Sequence, residues 1–309
     1  MNINPVDQSS YHNVLRFLEQ HTPHCMFLLE NITQRGYALS DHPHSGNFWY
    51  MLDDSQIVGV FSLTREGILV NGIFVPLDDT TVADILTICK KESANGIHVT
   101  GVVGTGESSA RLTEAFINQW HMRFDREELE TLLSCSLSSI ATLSLEPPYL
   151  ARLLTEDDFE QWIEARIAYN LELNLGNPDR ADPILAKRFD HFVANEIIWG
   201  IFESDTLIAT ANCSALYGST HQIGGVYTLP AYRGQGFAKH LMEHILQDSA
   251  ERHGHTQSIL FTDNDPNSAP QRLYRSLGYR EIGQFSLNLG GKYVGAESTT
   301  RDNRVIVHP

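Results

Sequence analysis

The run Val226-Tyr-Thr-Leu-Pro-Ala-Tyr-Arg233-Gly-Gln-Gly236-Phe-Ala238-Lys239 places one arginine, two glycines and a small residue where an apolar, strand-like segment hands over to a helical pattern. A helix N-terminus leaves up to four backbone N–H groups unpaired and carries a partial positive charge, so it receives a phosphate wherever nothing bulky blocks the approach. Gly234 and Gly236 lack a β-carbon, Ala238 stays small one turn inside, and Arg233 adds a cation beside the amides. This order of residues suits the clasping of a pyrophosphate by main-chain donors. A tight turn by itself would also take glycine, so the reading depends on what surrounds it.

A second constellation follows the apolar segment "SILFTD": Asn267, then Leu273-Tyr274-x-x-x-Gly278-Tyr279. Arg233-Gly-Gln-Gly236-Phe-Ala238, preceded by Thr228-x-Pro230, resembles the Arg/Gln-x-x-Gly-x-Gly/Ala signature of the GNAT superfamily of acyl-CoA-dependent N-acyltransferases. The Asn267 and Leu273–Tyr279 pattern is similar to that superfamily's other common motif, in the right order and spacing. The run Val226 to Gly236 also resembles V-Y-T-x-P-x-x-R-G-x-G, a motif found in a set of acetyltransferases.

The resemblance implies a mostly antiparallel central sheet whose fourth and fifth strands splay apart, with the pantetheine of acetyl-CoA in the gap. Its backbone partners would be Tyr227 and Thr228, and the pyrophosphate would lie on Arg233 and the amides of Gly234, Gln235, Gly236, Phe237, Ala238 and Lys239, with Asn267 nearby. Gly224-Gly225 stands inside the fourth strand, and interior glycines mark a bulge or a close backbone approach, which agrees with the splay. Tyr274 falls where the family often uses a phenol to protonate the departing thiolate, and a phenol with a free pKa of about 10 is a donor that stays protonated at neutral pH. The base is less marked. The fourth strand offers His221 and Gln222, with Gln222 at the position most readily aligned with a base, so deprotonation through water is the expectation. Glu172 reads as a solvated carboxylate on a helix face and is left out of the site.

These residues need elements to hold them. Met1 to Gln20 reads as a helix, and "NFWYML", "QIVGVFSL" and "GILVNGIFV" as three antiparallel strands joined by polar turns. "TTVADILTICKKE" (helix), "IHVTGVV" (strand), "ESSARLTEAFINQW" (helix) and "LETLLSCSLSSI" (a weaker strand) complete the first half. "LEPPYLARLL" reads as a linker entering a new strand. Beyond it come helices over "TEDDFEQWIEARIAYNLEL" and "PILAKRFDHFVAN", the first opened by a Thr cap and acids. Three strands follow, then "GFAKHLMEHILQDSAER" (helix), "SILFTD" (strand), "NSAPQRLYRSLGY" (helix) and "REIGQFSLNL" (strand). The halves repeat one order of elements. The expectation is an α+β chain of tandem GNAT-like domains, 1–145 without a cofactor site and 146–309 with one.

The 309 residues carry a formal charge of −16, from 22 basic and 38 acidic side chains, which argues against a nucleic-acid partner. The balance reverses locally: residues 231–280 hold 6 basic and 5 acidic side chains, so the glycine-rich turn is the least repulsive place for an anion. Cys25, Cys89, Cys135 and Cys213 lie far apart with neither zinc nor disulfide spacing. With no apolar run near the ~20 residues of a membrane span and no leader-like N-terminus, a cytoplasmic protein without a membrane partner is expected.

Other motifs are weaker. His240-Leu-Met-Glu243-His244 matches a metallopeptidase pattern, but it lies on a helix that buries Leu241 and Ile245, and no metal is expected. Gly101-Val-Val-Gly104-Thr-Gly106 lacks an arginine and aligns with the fifth-strand turn. The first half's counterpart of the Arg233 turn is "VPLDDTTVADIL", where Asp78-Asp79 would repel a pyrophosphate. "HTPHC" and "DHPHSG" read as surface loops, and Cys213 as a core thiol rather than a ping-pong nucleophile. The expected activity is direct transfer of an acetyl group from acetyl-CoA, as co-substrate, to a primary amine on a small molecule or peptide. The alternatives are a CoA-binding sensor or scaffold without chemistry and, more remotely, an unrelated nucleotide-binding module.

Overall fold

The structure, a computed structural model, describes residues 1–137, 145–173 and 179–294. Its elements run twice through one order. The first pass is β1 (Asn2–Pro5), α1 (Tyr11–Gln20), α2 (Thr22–Arg35), β2 (Gly46–Asp53), β3 (Gln56–Thr64), β4 (Ile68–Ile73), α3 (Asp79–Ala94), β5 (Gly101–Thr105), α4 (Gly106–Trp120), the two-residue β6 (Met122–Arg123) and β7 (Arg126–Ser136). The second is β8 (Tyr149–Leu153), α5 (Phe159–Glu172), α6 (Pro183–Ala194), β9 (Ile198–Glu203), β10 (Thr206–Tyr217), β11 (Thr220–Thr228), α7 (Phe237–His253), β12 (Gln257–Thr262), α8 (Ala269–Ser276) and β13 (Arg280–Leu289), with a short β14 (Lys292–Tyr293) after it. The expected α+β class with a mostly antiparallel sheet in each half is what the chain adopts.

Two compact units form, and neither is one continuous stretch. Among the described residues the first gathers 1–132, 261–264 and 281–294, and the second 133–137, 145–173, 179–260 and 265–280. In the first, the strands follow the order β1-β2-β3-β4-β5-β13. Only β4 and β5 pair in parallel, and β13 closes antiparallel on β5 with Phe285 opposite Thr105 and Leu289 opposite Gly101. In the second, the order is β8-β9-β10-β11-β12, again with a single parallel pair, β11 and β12, and the last residues of β7 lie on the far side of β12. The Gln257 side chain donates to Ser134 Oγ across that pair at 3.0 Å. Each unit therefore takes its final strand from the other pass.

Each sheet buries an apolar cluster against its helices. The first unit packs Trp49, Phe61, Ile85, Leu112 and Phe116 together, and the second Trp162, Phe189, Trp199, Ile223, Leu241 and Ile245. The burial of Leu241, Met242, Ile245, Leu246 and Ser249 along α7 gives a stripe of helical period, which fixes the face that helix turns to the sheet.

Three local expectations are corrected. Met1 to Gln20 is not one helix: Asn2–Pro5 pairs with β2, Asn2 opposite Leu52, and only Tyr11–Gln20 is helical. "HTPHC" is not a loop, because α2 begins at Thr22 with its proline in the first turn, where the missing N–H costs nothing. In "IHVTGVV" the strand starts only at Gly101. The part of "LETLLSCSLSSI" beyond Leu137 lies outside the described residues.

Candidate active site

The β11 strand is broken by a bulge at the expected place. Thr210 pairs with Tyr227 and Asn212 with Gly224, so one residue of β10 faces two of β11, Gly225 and Val226. Gly225 has φ of +62°, and a β-carbon there would lie 2.6 Å from Asn212 Oδ1 and 3.2 Å from Arg166 Nη1. Only glycine fits, for reasons of both conformation and space. The parallel ladder to β12 runs from Thr220 opposite Gln257 to Ile223 opposite Leu260 and ends there, although β11 continues to Thr228.

At the end of β11 the chain makes a short 3-10 turn, Pro230–Tyr232, and enters α7 through the glycine-rich run. Gly234 has φ of +73° and Gly236 of +88°. A β-carbon would meet nothing within 4 Å at Gly234, and at Gly236 only His240 at 3.9 Å. The glycines thus answer a left-handed backbone rather than crowding within the protein, and they leave the approach to the helix open. Gly236 caps α7 without a side-chain bond, and no acidic residue stands in the first turn. The Lys239 amide donates to Gly236 O at 3.0 Å. Among the described residues no acceptor pairs with the amides of Gly234 to Ala238. Lys239 differs from the expectation in that respect, since its amide is taken and its Nζ lies 3.8 Å from Glu243.

Arg233 is held by a residue that the sequence reading left out. Its guanidinium donates two bonds to Glu172 on α5, at 2.9 and 2.6 Å, and its Nε donates to Thr228 O at 2.9 Å. It also lies over the Tyr227 ring, 5.2 Å from the centroid. Burial, and then Glu172, push the Tyr227 phenol above its usual range, so it stays protonated. Helix α5 packs along β10 and β11 and presents residues three apart to them: Arg166 beside Gly225, Tyr169 edge-on to Tyr227 at 6.0 Å, and Glu172 at Arg233. The i, i+3, i+6 spacing of these residues is the signal in the sequence that could have found this face.

Tyr274 is buried on α8, with its ring 5.9 Å from that of Tyr279, whose hydroxyl meets Ser258 Oγ at 2.6 Å. Asn267 is exposed in the loop before α8, and its amide donates to Asp265 at 2.9 Å. His221 is fully buried: burial, and secondarily His255 and His253, lower its pKa from 6.5 to about 3. A side chain so weakly basic does not take a proton from an alkylammonium at neutral pH. Gln222 donates to Ser214 Oγ at 2.9 Å. Cys213 lies in the core, where burial drives its thiol well above the usual range, so it is no thiolate nucleophile.

In the first unit the corresponding helix start is occupied from within. Asp78 caps α3 by accepting from the Thr81 amide at 2.7 Å; the Thr81 side chain, and then that amide, hold its carboxyl below the usual range, and Asp79 in the first turn pairs with Arg111. The glycines of Gly101–Gly106 serve packing: a β-carbon on Gly104 would lie 2.1 Å from Asn71 O. Glu107 stands in the first turn of α4.

Comparison with known proteins matches residues 151–279 to the model of the acetyltransferase (GNAT) family. No curated protein matches the sequence. Among solved structures, a GCN5-related N-acetyltransferase from Sphaerobacter thermophilus shares 14% identity and a TM-score of 0.62, covering 94% of this chain and 95% of its own. A Drosophila protein shares 14% with a TM-score of 0.65 over 93% of this chain and 98% of its own. A tandem GNAT protein from the clavulanic acid biosynthesis pathway shares 12% with a TM-score of 0.54 over 94% of this chain and 99% of its own. These likenesses carry the fold through the first half as well. With a bulged fourth strand leading into an open glycine-capped helix, and the family match over the same residues, residues 151–279 form a domain of the acetyltransferase (GNAT) family, whose members transfer acyl groups from acyl-CoA.

Proposed function

We propose that the chain transfers an acetyl group from acetyl-CoA to a primary amine by direct attack within a ternary complex. The observation that carries this is the start of α7, where the amides of Gly234 to Ala238 have no acceptor among the described residues and a β-carbon on Gly234 would meet nothing within 4 Å. They and Arg233 would hold the pyrophosphate, the backbone of Tyr227 and Thr228 the pantetheine, and Asn267 would stand at the rim. The amine nitrogen, deprotonated through water, attacks the thioester carbonyl. The carbon–sulfur bond then breaks, and the sulfur leaves with the electron pair and takes a proton from Tyr274. Holding both reactants in line supplies most of the rate, so no covalent enzyme intermediate is required.

The first half, 1–145, acts in this reading as a GNAT-like domain without a cofactor site, and 146–309 as the catalytic one. Asp78 supports that division, since a carboxylate already fills the helix start a phosphate would need. The four cysteines are buried free thiols, which supports a reducing, cytoplasmic setting. Among the described residues no helix is long and apolar enough to cross a membrane.

The test is calorimetry with acetyl-CoA, followed by thiol release over a panel of primary amines. Binding with turnover is expected. Binding without turnover on every amine would make the chain a CoA sensor, and no binding at all would remove the assignment.

A further inference from the structure

Arg166 is a half-buried cation with no carboxylate partner among the described residues. Its Nη1 stands 3.2 Å from the point a β-carbon of Gly225 would occupy, directly over the β11 bulge, and Asn212 Oδ1 is 2.6 Å from that same point. Its Nε is fully buried and makes no hydrogen bond. Among the described residues no carboxylate pairs with it, and its neighbour is the Tyr169 ring, 5.0 Å from guanidinium to centroid. Burial lowers its affinity for the proton, with Tyr169 opposing. Other arginines of this unit are matched: Arg152 with Asp158, Arg180 with Glu160 and Glu164, Arg233 with Glu172, Arg252 with Glu196.

A guanidinium whose Nε is buried without a partner is costly, and a counter-ion arriving from outside would offset that cost. Two more orphaned polar atoms lie on the same pair of packed elements: Asn170 Oδ1 on α5, one turn beyond Arg166, and Gln222 Oε1 on β11. Both belong to side chains that are almost wholly buried. Arg166 therefore offers N–H donors that no carboxylate takes among the described residues, while the two orphaned amide oxygens are acceptors, suited to the N–H groups of an amine rather than to a carboxylate. A guanidinium in that state matches a carboxylate in shape and charge.

We infer that Arg166 receives a substrate carboxylate beside the β11 bulge, so that the acceptor is an amine that also bears a carboxylate, an amino acid rather than a polyamine or a protein lysine. The inference rests on the acetyl-transfer reading of this site. The same chemistry has a second source, the free carboxylate of a dicarboxylic acyl group carried by the CoA thioester, and the experiment separates the two.

Thiol release from acetyl-CoA is measured with each α-amino acid against its α-carboxamide, in the wild type, Arg166→Gln and Arg166→Lys. A second arm compares succinyl-CoA with acetyl-CoA on an amine that has no carboxylate. The expected result is a preference of about 10- to 100-fold in kcat/KM for the carboxylate-bearing acceptor, the range of a charge-assisted bond. Arg166→Gln removes that preference through KM and leaves acetyl-CoA affinity within about 2-fold by calorimetry. Arg166→Lys keeps part of it. A preference for succinyl-CoA that disappears in Arg166→Gln supports the carboxylate site and assigns its ligand to the donor. A wild type indifferent to the carboxylate in both arms, or a preference that survives Arg166→Gln, overturns the inference. If Arg166→Gln does not melt as a folded protein, Arg166→Lys and the wild-type comparison decide. If acetyl-CoA does not bind, the transferase reading fails separately. Calorimetry with N-acetyl amino acids, in wild type and Arg166→Lys, then tests the carboxylate site directly, and absence of binding overturns it.

Discussion

Glu172→Gln should tighten the binding of acetyl-CoA. The arginine expected to reach the pyrophosphate is paired with Glu172 through bonds of 2.9 and 2.6 Å, with the two side chains 41% and 47% exposed. Exposed pairs of this kind contribute about 0.2–1 kcal/mol, so freeing Arg233 is worth about 1.4- to 5-fold in affinity. Removal of a carboxylate next to a diphosphate acts in the same direction. Titration calorimetry with acetyl-CoA reads the effect, and the gain should shrink at high salt. Arg233→Ala supplies the other side of the cycle: it should weaken binding by about 10-fold through the lost charge-assisted contact, and adding Glu172→Gln to it should gain little. If Glu172→Gln leaves the affinity unchanged or lowers it while Arg233→Ala weakens binding, Glu172 does not compete with the phosphates and positions the arginine instead.

Tyr274→Phe should lower kcat by about 100-fold if the phenol protonates the thiolate, with acetyl-CoA affinity nearly intact; unchanged turnover in the thiol-release assay removes it from the mechanism. Gly236→Ala places a side chain at φ of +88°, which costs about 1–2 kcal/mol and should lower the melting temperature by a few degrees while weakening acetyl-CoA binding. An unaltered melting curve would show that the turn relaxes without loss. His221 is lowered by burial from 6.5 to about 3, so the unfolded chain binds a proton that the native chain refuses between those values. Its stabilising contribution is full above about pH 6.5 and is lost as the pH falls towards 3, by about 4–5 kcal/mol at the acid end. Urea unfolding at pH 4, 5 and 7 should therefore show a flatter pH dependence in His221→Gln, and equal slopes in both proteins would exclude this origin of acid sensitivity.

What the sequence revealed was set by local physics. Alternating apolar residues located β2 and β3, and the helical stripe of α7 was visible in Leu241, Met242 and Ile245, because each pattern follows from one buried face. The turn at Arg233 was legible for a related reason: Gly234 and Gly236 occupy positive φ, a demand the residue type itself discloses. Helix α2 escaped notice because Pro23 and its neighbouring histidines looked like a break, although a proline in the first turn is compatible with a helix. The partners of Arg233 and Gly225 were hidden in another way. Glu172 and Arg166 lie on α5, far back in the chain, and their contacts exist only once that helix lies along β11. The sequence likewise marked β13 as a strand but not which strand would be its neighbour.

That β13 closes the sheet of the first unit has a consequence for biosynthesis. Thr105 emerges from the ribosome long before its partner Phe285, and until then the β5 backbone on that side has no hydrogen-bonding mate from β13. Stepwise maturation of an N-terminal module ahead of its successor, the usual order for multidomain chains, is thus impossible to complete here. A nascent or truncated product ending near residue 145 would display a naked strand border, the kind of surface that invites chaperones and aggregation.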